Sequence, residues 1–277
     1  MEDKSKLKYK LFFTDLDHTL IMDNHIPPFN LEAIKLAKEK GVKFILCTAR
    51  SFKLMNHFLK ELETENSEKE YSICNSGCTI YENKDQKLIY YKELDKELLN
   101  LIFEYAKNLN IKIIFNTLND VSYIYNEEKT DKEKWMNIKH KAIKSIEELN
   151  DVKVIRLLFC SKDYNSLLNI KNEMSNNKDF EGKIDCYLSG KTMMEIHSIG
   201  VSKGEALKWL SNYLNVDIKE TIAIGDDYSD ESMIKIAGLG CAVKSAHDEI
   251  KNVSKYICEK DYFEGSVKEV IEKFILN

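Results

Sequence analysis

The sequence predicts an α/β fold in which a doubly wound parallel sheet is interrupted by an inserted α+β domain. The first 80 residues alternate apolar, β-favouring runs with helical patterns, which is typical of a parallel sheet with crossover helices. From about residue 87 the runs become aromatic-rich and closely spaced, and at Gly200 the first pattern resumes. We therefore expect a Rossmann-like core from residues 1–80 and 190–277, and an inserted α+β domain from residues 81–189. A chain of 277 residues is also longer than a single core usually supports.

The first strand ends in two acidic residues. Residues 10–21 read KLFFTDLDHTLI, so an apolar run leads directly to Asp15 and Asp17, with Thr19 two residues further on. Two carboxylates this close disfavour each other's ionisation, so a bound cation or a shared proton has to offset the repulsion. Oxygen ligands favour a hard ion such as Mg²⁺. Taken alone, the pair fits a solvated surface turn equally well.

The next helix and strand bring a second polar position to the same edge of the sheet. Asn30 is expected to cap a helix that stops at Gly41, and residues 42–47 (VKFILC) are expected to form a buried strand. Thr48 follows that strand directly. Ligands of parallel sheets sit beyond the carboxyl ends of the strands, so Thr48 and Asp15 should face one pocket.

The inserted segment shows antiparallel signals and no acidic pair at a strand end. Helices are expected over residues 94–109 and 164–174, and two closely spaced strands should turn at Gly190. Residues 127–150 are charged and weakly patterned. Arg156, one of two arginines in the chain, lies in a strand of this segment and is a candidate anion contact or, preferably, a structural residue.

The last part of the chain contains a second apolar run that is followed by acidic residues. Ser202 and Glu205 have the spacing of a capping box, which places Lys203 in the first turn of a helix, where backbone N–H groups favour an anion. Residues 221–224 form an apolar run that ends at Gly225 and is followed by three acidic residues, Asp226, Asp227 and Asp230. Of these, Asp227 is expected to be a turn or cap residue.

These positions together suit phosphoryl transfer. Asp15, Asp17 and Asp226 can supply ligands for Mg²⁺, while Lys203 offers a counter-charge to phosphate and Thr48 a hydroxyl donor. A carboxylate can also act as the nucleophile, and Asp17 can protonate the leaving oxygen and later activate water.

Composition excludes several other functions. The chain has 41 basic and 46 acidic side chains, so its net charge of -5 gives no support to binding of nucleic acid or an anionic membrane surface. No apolar run approaches the roughly 20 residues of a membrane span, and no signal peptide is evident. The seven cysteines have no C-x-x-C spacing, which indicates thiols in a reducing compartment. We expect a cytoplasmic protein of unknown oligomeric state whose ligand is a small molecule.

Four stretches carry a resemblance to a known family. DLDHTL, TAR, SKGEAL and GDDYSD resemble, in order, the four motifs of the haloacid dehalogenase superfamily of phosphotransferases. The insertion lies between the second and third motifs, as in the Cof-like sugar-phosphate phosphatases. The resemblance implies a Mg²⁺ cofactor and the following roles: Asp15 as nucleophile and metal ligand, Asp17 as general acid/base whose main-chain carbonyl also meets the metal, Asp226 as ligand, Asp230 as a water-mediated metal partner that orients Lys203, and Thr48 and Lys203 as phosphate-binding residues.

The chain departs from this family in two places. His18 follows Asp17 where the family commonly has glycine, and Ser229 stands where Cof-like members usually carry an asparagine that contacts phosphate. Ser229 is therefore a candidate phosphate donor of shorter reach.

Three functions agree with the motifs. The first is a Mg²⁺-dependent phosphatase for a small phosphorylated metabolite, with the inserted domain as a moving lid. The second is a phosphomutase of the same superfamily. The third is a non-catalytic sensor of a phosphorylated metabolite.

Overall fold

The computed structural model describes residues 7–126 and 139–277, and the chain divides into two units. The first unit contains Met1–Tyr90 and Ser202–Asn277, and the second contains Tyr91–Val201. In chain order the elements before the insertion are β1 (Leu11–Thr14), α1 (Pro28–Glu39), β2 (Lys43–Cys47), α2 (Asn56–Glu61), β3 (Tyr71–Cys74), β4 (Thr79–Glu82) and β5 (Lys87–Tyr91). The insertion contains α3 (Lys96–Ala106), β6 (Lys112–Thr117), β7 (Ser122–Tyr125), β8 (His140–Ala142), β9 (Val154–Cys160), α4 (Tyr164–Asn176), β10 (Ile184–Ser189) and β11 (Met193–Ser198). The chain ends with α5 (Lys203–Tyr213), β12 (Thr221–Gly225), α6 (Glu231–Ile236), β13 (Leu239–Ala242), α7 (Asp248–Val253), β14 (Tyr256–Ile257) and α8 (Ser266–Ile271).

The first unit is built on a sheet of eight strands in the order β14-β13-β12-β1-β2-β3-β4-β5. Neighbouring strands from β14 to β3 run parallel, and β4 pairs antiparallel with β3. This arrangement confirms the predicted α/β fold with a doubly wound, mainly parallel sheet. Thr14, the last residue of β1, pairs with Ile224 on one side and Leu46 on the other, so the three central strands end at one level.

Apolar residues hold the central strands inside the first unit. Three consecutive residues of β1 are almost fully buried: Leu11, Phe12 and Phe13. A strand covered on both faces of its sheet needs such a continuous apolar run, because side chains on either face are buried. Helix α1 ends as expected before Gly41, whose φ of +100° suits a residue without a Cβ.

The predicted cap of α1 was wrong. The helix begins at Pro28, and Asn30 lies inside it, fully buried. Its side-chain amide donates to the Leu20 carbonyl and its Oδ1 accepts from the Lys268 N–H. Proline suits the first helical position because the N–H group of that position has no partner within the helix, so proline loses no hydrogen bond there. The helix therefore starts at Pro28, two residues before Asn30.

The second unit contains a six-stranded sheet in the order β10-β11-β9-β6-β7-β8. All neighbouring pairs are antiparallel except β7 and β8. A second cluster of buried apolar residues includes Ile102 and Phe103 of α3, Phe115 and Leu157 of the sheet, and Ile170 of α4. The insertion is therefore an α+β unit with its own core.

The boundaries of the insertion differ from the predicted 81–189. Tyr81 lies in β4 and β5 extends the first sheet, so the second unit begins only at Tyr91. At the other end β10 and β11 both belong to the second sheet, and the unit runs to Val201. The aromatic-rich composition of β5 suggested a new domain, although these residues add an edge to the first sheet. Part of the weakly patterned stretch, residues 127–138, lies outside the described residues.

Arg156 is held by neighbours within the second unit. Its Nη1 lies 3.1 Å from Glu195 Oε2, and its Nε donates to Asn116 Oδ1 at 3.1 Å. His197 is fully buried and lies 3.2 Å from the same Glu195 oxygen. These contacts favour the structural interpretation of Arg156. Among the described residues we find no helix with both the length and the apolar character needed to cross a bilayer.

Candidate active site

Three carboxylates meet at the carboxyl edge of the first sheet. Asp15 follows β1, while Asp226 and Asp230 follow β12. Each offers an oxygen, and these oxygens lie within 4.8 Å of one another. Asp15 is 7% exposed and Asp230 is fully buried. The parallel register of β1 and β12 therefore brings together acidic residues that are far apart in the sequence.

Lys203 lies between two of these carboxylates. Its Nζ donates to Asp15 Oδ1 and to Asp230 Oδ1, both at 2.6 Å, and the side chain is 2% exposed. The Ser202 hydroxyl accepts from the Glu205 N–H and caps α5, which places Lys203 at the first position of that helix. Burial alone lowers the pKa of Lys203, but the charges of Asp15 and Asp230 outweigh burial and raise the pKa well above its usual value. The lysine is thus a fixed cation.

The cluster remains short of positive charge. The pKa of Asp15 is raised to about 7, chiefly by burial and also by the charge of Asp230, against the opposing charge of Lys203. The pKa of Asp226 is raised to about 8, chiefly by burial and then by repulsion from Asp15 and Asp230. A hard divalent cation would relieve this repulsion, and an all-oxygen donor set suits Mg²⁺. The residues present therefore fit a magnesium ion, with Asp15 and Asp226 as the available side-chain ligands.

Asp230 has most of its acceptor capacity occupied. Besides Lys203 at one oxygen, its Oδ2 accepts from the backbone N–H groups of Asp226 and Asp227 at 3.1 and 3.2 Å. These bonds fix both the lysine and the turn that carries Asp226. The arrangement favours the orienting role predicted for Asp230 over direct metal binding.

Two contributors to the site were not predicted from the sequence. The Thr19 hydroxyl donates to Asp226 Oδ1 at 2.7 Å, which orients that carboxylate. Gly225 leaves room for Asp230, because a Cβ at this position would lie 2.4 Å from Asp230 Cγ. The signal for Gly225 was its place at the end of an apolar run, where a glycine permits close approach of a neighbouring group.

The Asp17 side chain is not one of the three clustered carboxylates. It is 50% exposed, and the Arg50 guanidinium holds it with Nη2 to Oδ1 at 2.6 Å and Nε to Oδ2 at 2.9 Å. This geometry suits the expectation that any contact of Asp17 with a metal is made by its main-chain carbonyl. The next residue, His18, has a φ of 59°, a left-handed conformation that favours glycine, which is the residue that the family resemblance leads one to expect here.

The candidate phosphate contacts differ in burial. Thr48 is 1% exposed, and its hydroxyl oxygen accepts from the Arg50 N–H at 3.2 Å, so it caps the turn that follows β2. Ser229 is half-buried in the 3-10 turn Tyr228–Asp230. Asp227 accepts from the Tyr228 N–H at 2.7 Å, in agreement with its predicted capping role.

The fold and the site together define a class of α/β protein with an acidic centre at the carboxyl edge of its sheet. The family model of haloacid dehalogenase-like hydrolases matches residues 12–271. The chain belongs to this family, and the resemblance seen in its four motifs is confirmed.

Known proteins of similar sequence or structure cover most of the chain. The 5-amino-6-(5-phospho-D-ribitylamino)uracil phosphatase YcsE of Bacillus subtilis is 24% identical over 262 residues, which is 94% of each chain. A haloacid dehalogenase-like hydrolase from Bacteroides thetaiotaomicron superposes with a TM-score of 0.79 at 25% identity, covering 96% of this chain and 99% of the other. A HAD/COF-like hydrolase from Plasmodium vivax has a TM-score of 0.81 at 21% identity, covering 97% and 96% of the two chains. The last likeness concerns the fold alone.

Proposed function

We propose that this chain is a Mg²⁺-dependent phosphatase that hydrolyses a small phosphorylated metabolite, such as a sugar phosphate, through an aspartyl-phosphate on Asp15. The observation that carries the proposal is the position of Asp15, which is buried at a strand end with Lys203 at 2.6 Å and Asp226 in the same cluster. Family membership and the phosphatase activity named for the Bacillus subtilis relative support the same reaction class.

The proposed reaction has two steps. One Asp15 oxygen attacks phosphorus, and the ester oxygen leaves with a proton from Asp17, forming the acyl phosphate. Asp17 then takes a proton from water as that water attacks the acyl phosphate, which releases inorganic phosphate and restores Asp15. Lys203, Thr48 and Ser229 are the proposed contacts of the phosphoryl oxygens.

Electrostatics decide what the site needs for the first step. Asp15 attacks as a carboxylate, yet burial raises its pKa to about 7. Lys203 supplies one fixed positive charge, and it is preorganised because Asp230 holds it from the other side. When bound, Mg²⁺ would supply the further charge that keeps Asp15 ionised and neutralises the phosphoryl oxygens.

The test is phosphate release from p-nitrophenyl phosphate and from a panel of sugar, nucleotide and cofactor phosphates, with and without Mg²⁺. We expect Mg²⁺-dependent release that Asp15→Asn abolishes. Asp217→Asn is the matched control, because Asp217 caps the turn before β12 at the opposite end of that strand and asparagine caps equally well.

The other functions give different results in the same assay. An isomerised phosphosugar without net phosphate release would favour a phosphomutase. Saturable binding of a phosphorylated compound with no turnover would favour a sensor. Activity that survives in Asp15→Asn would refute the proposed nucleophile.

A further inference from the structure

Arg50 and Asp17 form a two-pronged ion pair beside the acidic cluster. The guanidinium donates through Nε and Nη2 to separate Asp17 oxygens at 2.9 and 2.6 Å. Arg50 is 24% exposed and Asp17 is 50% exposed. A planar fork matched to both oxygens of a carboxylate restricts its rotation, whereas a single point charge does not.

The guanidinium is itself held in place by the first unit. Its Nη1 donates to Asn24 Oδ1 at 3.2 Å, and its central carbon lies 5.2 Å from the centre of the Phe58 ring. Asn24 has a φ of 61° and belongs to the tight turn closed by backbone hydrogen bonds between Met22 and His25. Apart from its two bonds to Asp17, the guanidinium is therefore held by Asn24 at Nη1 and by the Phe58 ring, and both contacts restrict its position independently of Asp17.

An exposed aspartate without such a partner would sample several rotamers. The energetic benefit of an exposed ion pair to folding is small, about 0–1 kcal/mol in general. Its value for a reaction is larger, because a group misplaced by about 1 Å loses on the order of 100-fold in rate. The orientation that Arg50 imposes on the Asp17 carboxyl group therefore explains the ion pair better than a contribution to folding stability does.

We propose that Arg50 is a positioning residue that orients the Asp17 carboxyl group for proton transfer to the leaving oxygen, and that Asn24 supports it. This inference rests on the proposed role of Asp17 as general acid/base. It assigns to Arg50 an action through Asp17, with no contact to the phosphoryl group required.

The leaving group provides the test. An alkoxide from a sugar phosphate needs a proton as it departs, while 4-nitrophenolate leaves readily without one. The value of kcat/KM covers the steps up to departure of the leaving group and so isolates the acid role. For Arg50→Met we expect kcat/KM to fall about 10- to 100-fold for the best sugar phosphate and less than about threefold for p-nitrophenyl phosphate.

Graded variants distinguish geometry from charge. Arg50→Lys should leave most of the defect, because an ammonium cannot hold both Asp17 oxygens. Asn24→Ala keeps the two bonds to Asp17 and should give a smaller loss with the same dependence on the leaving group. Equal losses for both leaving groups, or full recovery with lysine, would overturn the positioning role.

A double-mutant cycle with Asp17→Asn completes the test. If Arg50 acts through Asp17, Arg50→Met should add less than about twofold to the loss already present in Asp17→Asn. Fully additive losses would mean that Arg50 acts elsewhere, for example on the phosphoryl group. The double-mutant cycle is measured only after the wild-type protein has shown phosphate release that depends on Asp15. A failure of the proposed function is therefore detected first and is distinguished from a failure of the role proposed for Arg50. Circular dichroism and melting of each variant verify that it is folded.

Discussion

Replacing Lys203 with methionine is expected to destabilise the first unit, and to do so more at high pH than at low pH. The side chain is 2% exposed and its Nζ lies 2.6 Å from both Asp15 and Asp230. Removing one partner of a buried ion pair generally costs about 3–5 kcal/mol, because the remaining charge is left without a counter-charge. Methionine has a similar length, so little of this loss would come from a cavity.

The pH dependence follows from the carboxylates that remain. Lys203 lowers the pKa of Asp15 against the effect of burial, so without the lysine Asp15 would bind a proton in the folded state at pH values where it is ionised in the unfolded chain. The folded state then holds more protons than the unfolded state, so its stability falls as pH rises. The difference between Lys203→Met and wild type should accordingly be larger near about pH 8 than near about pH 5.5.

Urea unfolding in Mg²⁺-free buffer measures this difference. The chain has two tryptophans, so the measurement is made in a Trp135→Phe background. The fluorescence of Trp209, which lies in α5, then reports on the first unit, with circular dichroism as a second probe. Lys208→Met is the matched control on the same helix, since Lys208 is 57% exposed, and it should change the free energy of unfolding by less than about 0.5 kcal/mol. If Lys203→Met stays within about 1 kcal/mol of wild type near about pH 8, the ion pairs do not carry the stability assigned to them.

Three further predictions follow from the site. Gly225→Ala should lower stability by about 1–3 kcal/mol and reduce phosphate release, because the new Cβ would lie 2.4 Å from Asp230 Cγ and displace that side chain. Wild-type melting and turnover in this variant would contradict the prediction. In Mg²⁺-free wild type, the pKa values of Asp15 and Asp226 are raised to about 7 and about 8, so the folded state holds protons that the unfolded chain releases from about pH 4 upward. The contribution of these groups to stability should therefore decrease as pH rises toward 8, and Mg²⁺ should raise Tm more near about pH 8 than near about pH 6; an equal effect of Mg²⁺ at both pH values would count against this linkage. His18→Gly should change stability by less than about 1 kcal/mol, whereas His18→Val should destabilise more because φ is 59°; melting curves in which valine is the better tolerated would show that the backbone conformation does not matter.

Local signals in the sequence were sufficient for much of the fold. Alternation of apolar runs with helical patterns predicted the parallel sheet and the insertion, and Gly41 and Ser202 marked a helix end and a helix start where the structure has them. Such signals act between residues a few positions apart. They were insufficient where neighbours in space decide the outcome, as for Asn30, which is buried and bonded to Leu20 and Lys268 instead of capping α1.

The sequence by itself determined the kind of site. Apolar runs that end in Asp15, Thr48 and Asp226 place these groups at the carboxyl edge of one sheet, because parallel strands share that edge. The motifs at those ends also indicated the family. The boundaries of the insertion were less accurate, because an edge strand of one sheet and a first strand of another have similar composition.

Only the tertiary structure decided which side chains contact one another. Lys203 bonds to Asp15 across 188 positions of sequence and to Asp230 across 27, and Arg50 bonds to Asp17 across 33. Those pairings depend on strand register, rotamers and the burial that raises the pKa values of Asp15 and Asp226. None of these properties leaves a periodic trace in the sequence, because charge and desolvation act through space and not along the chain.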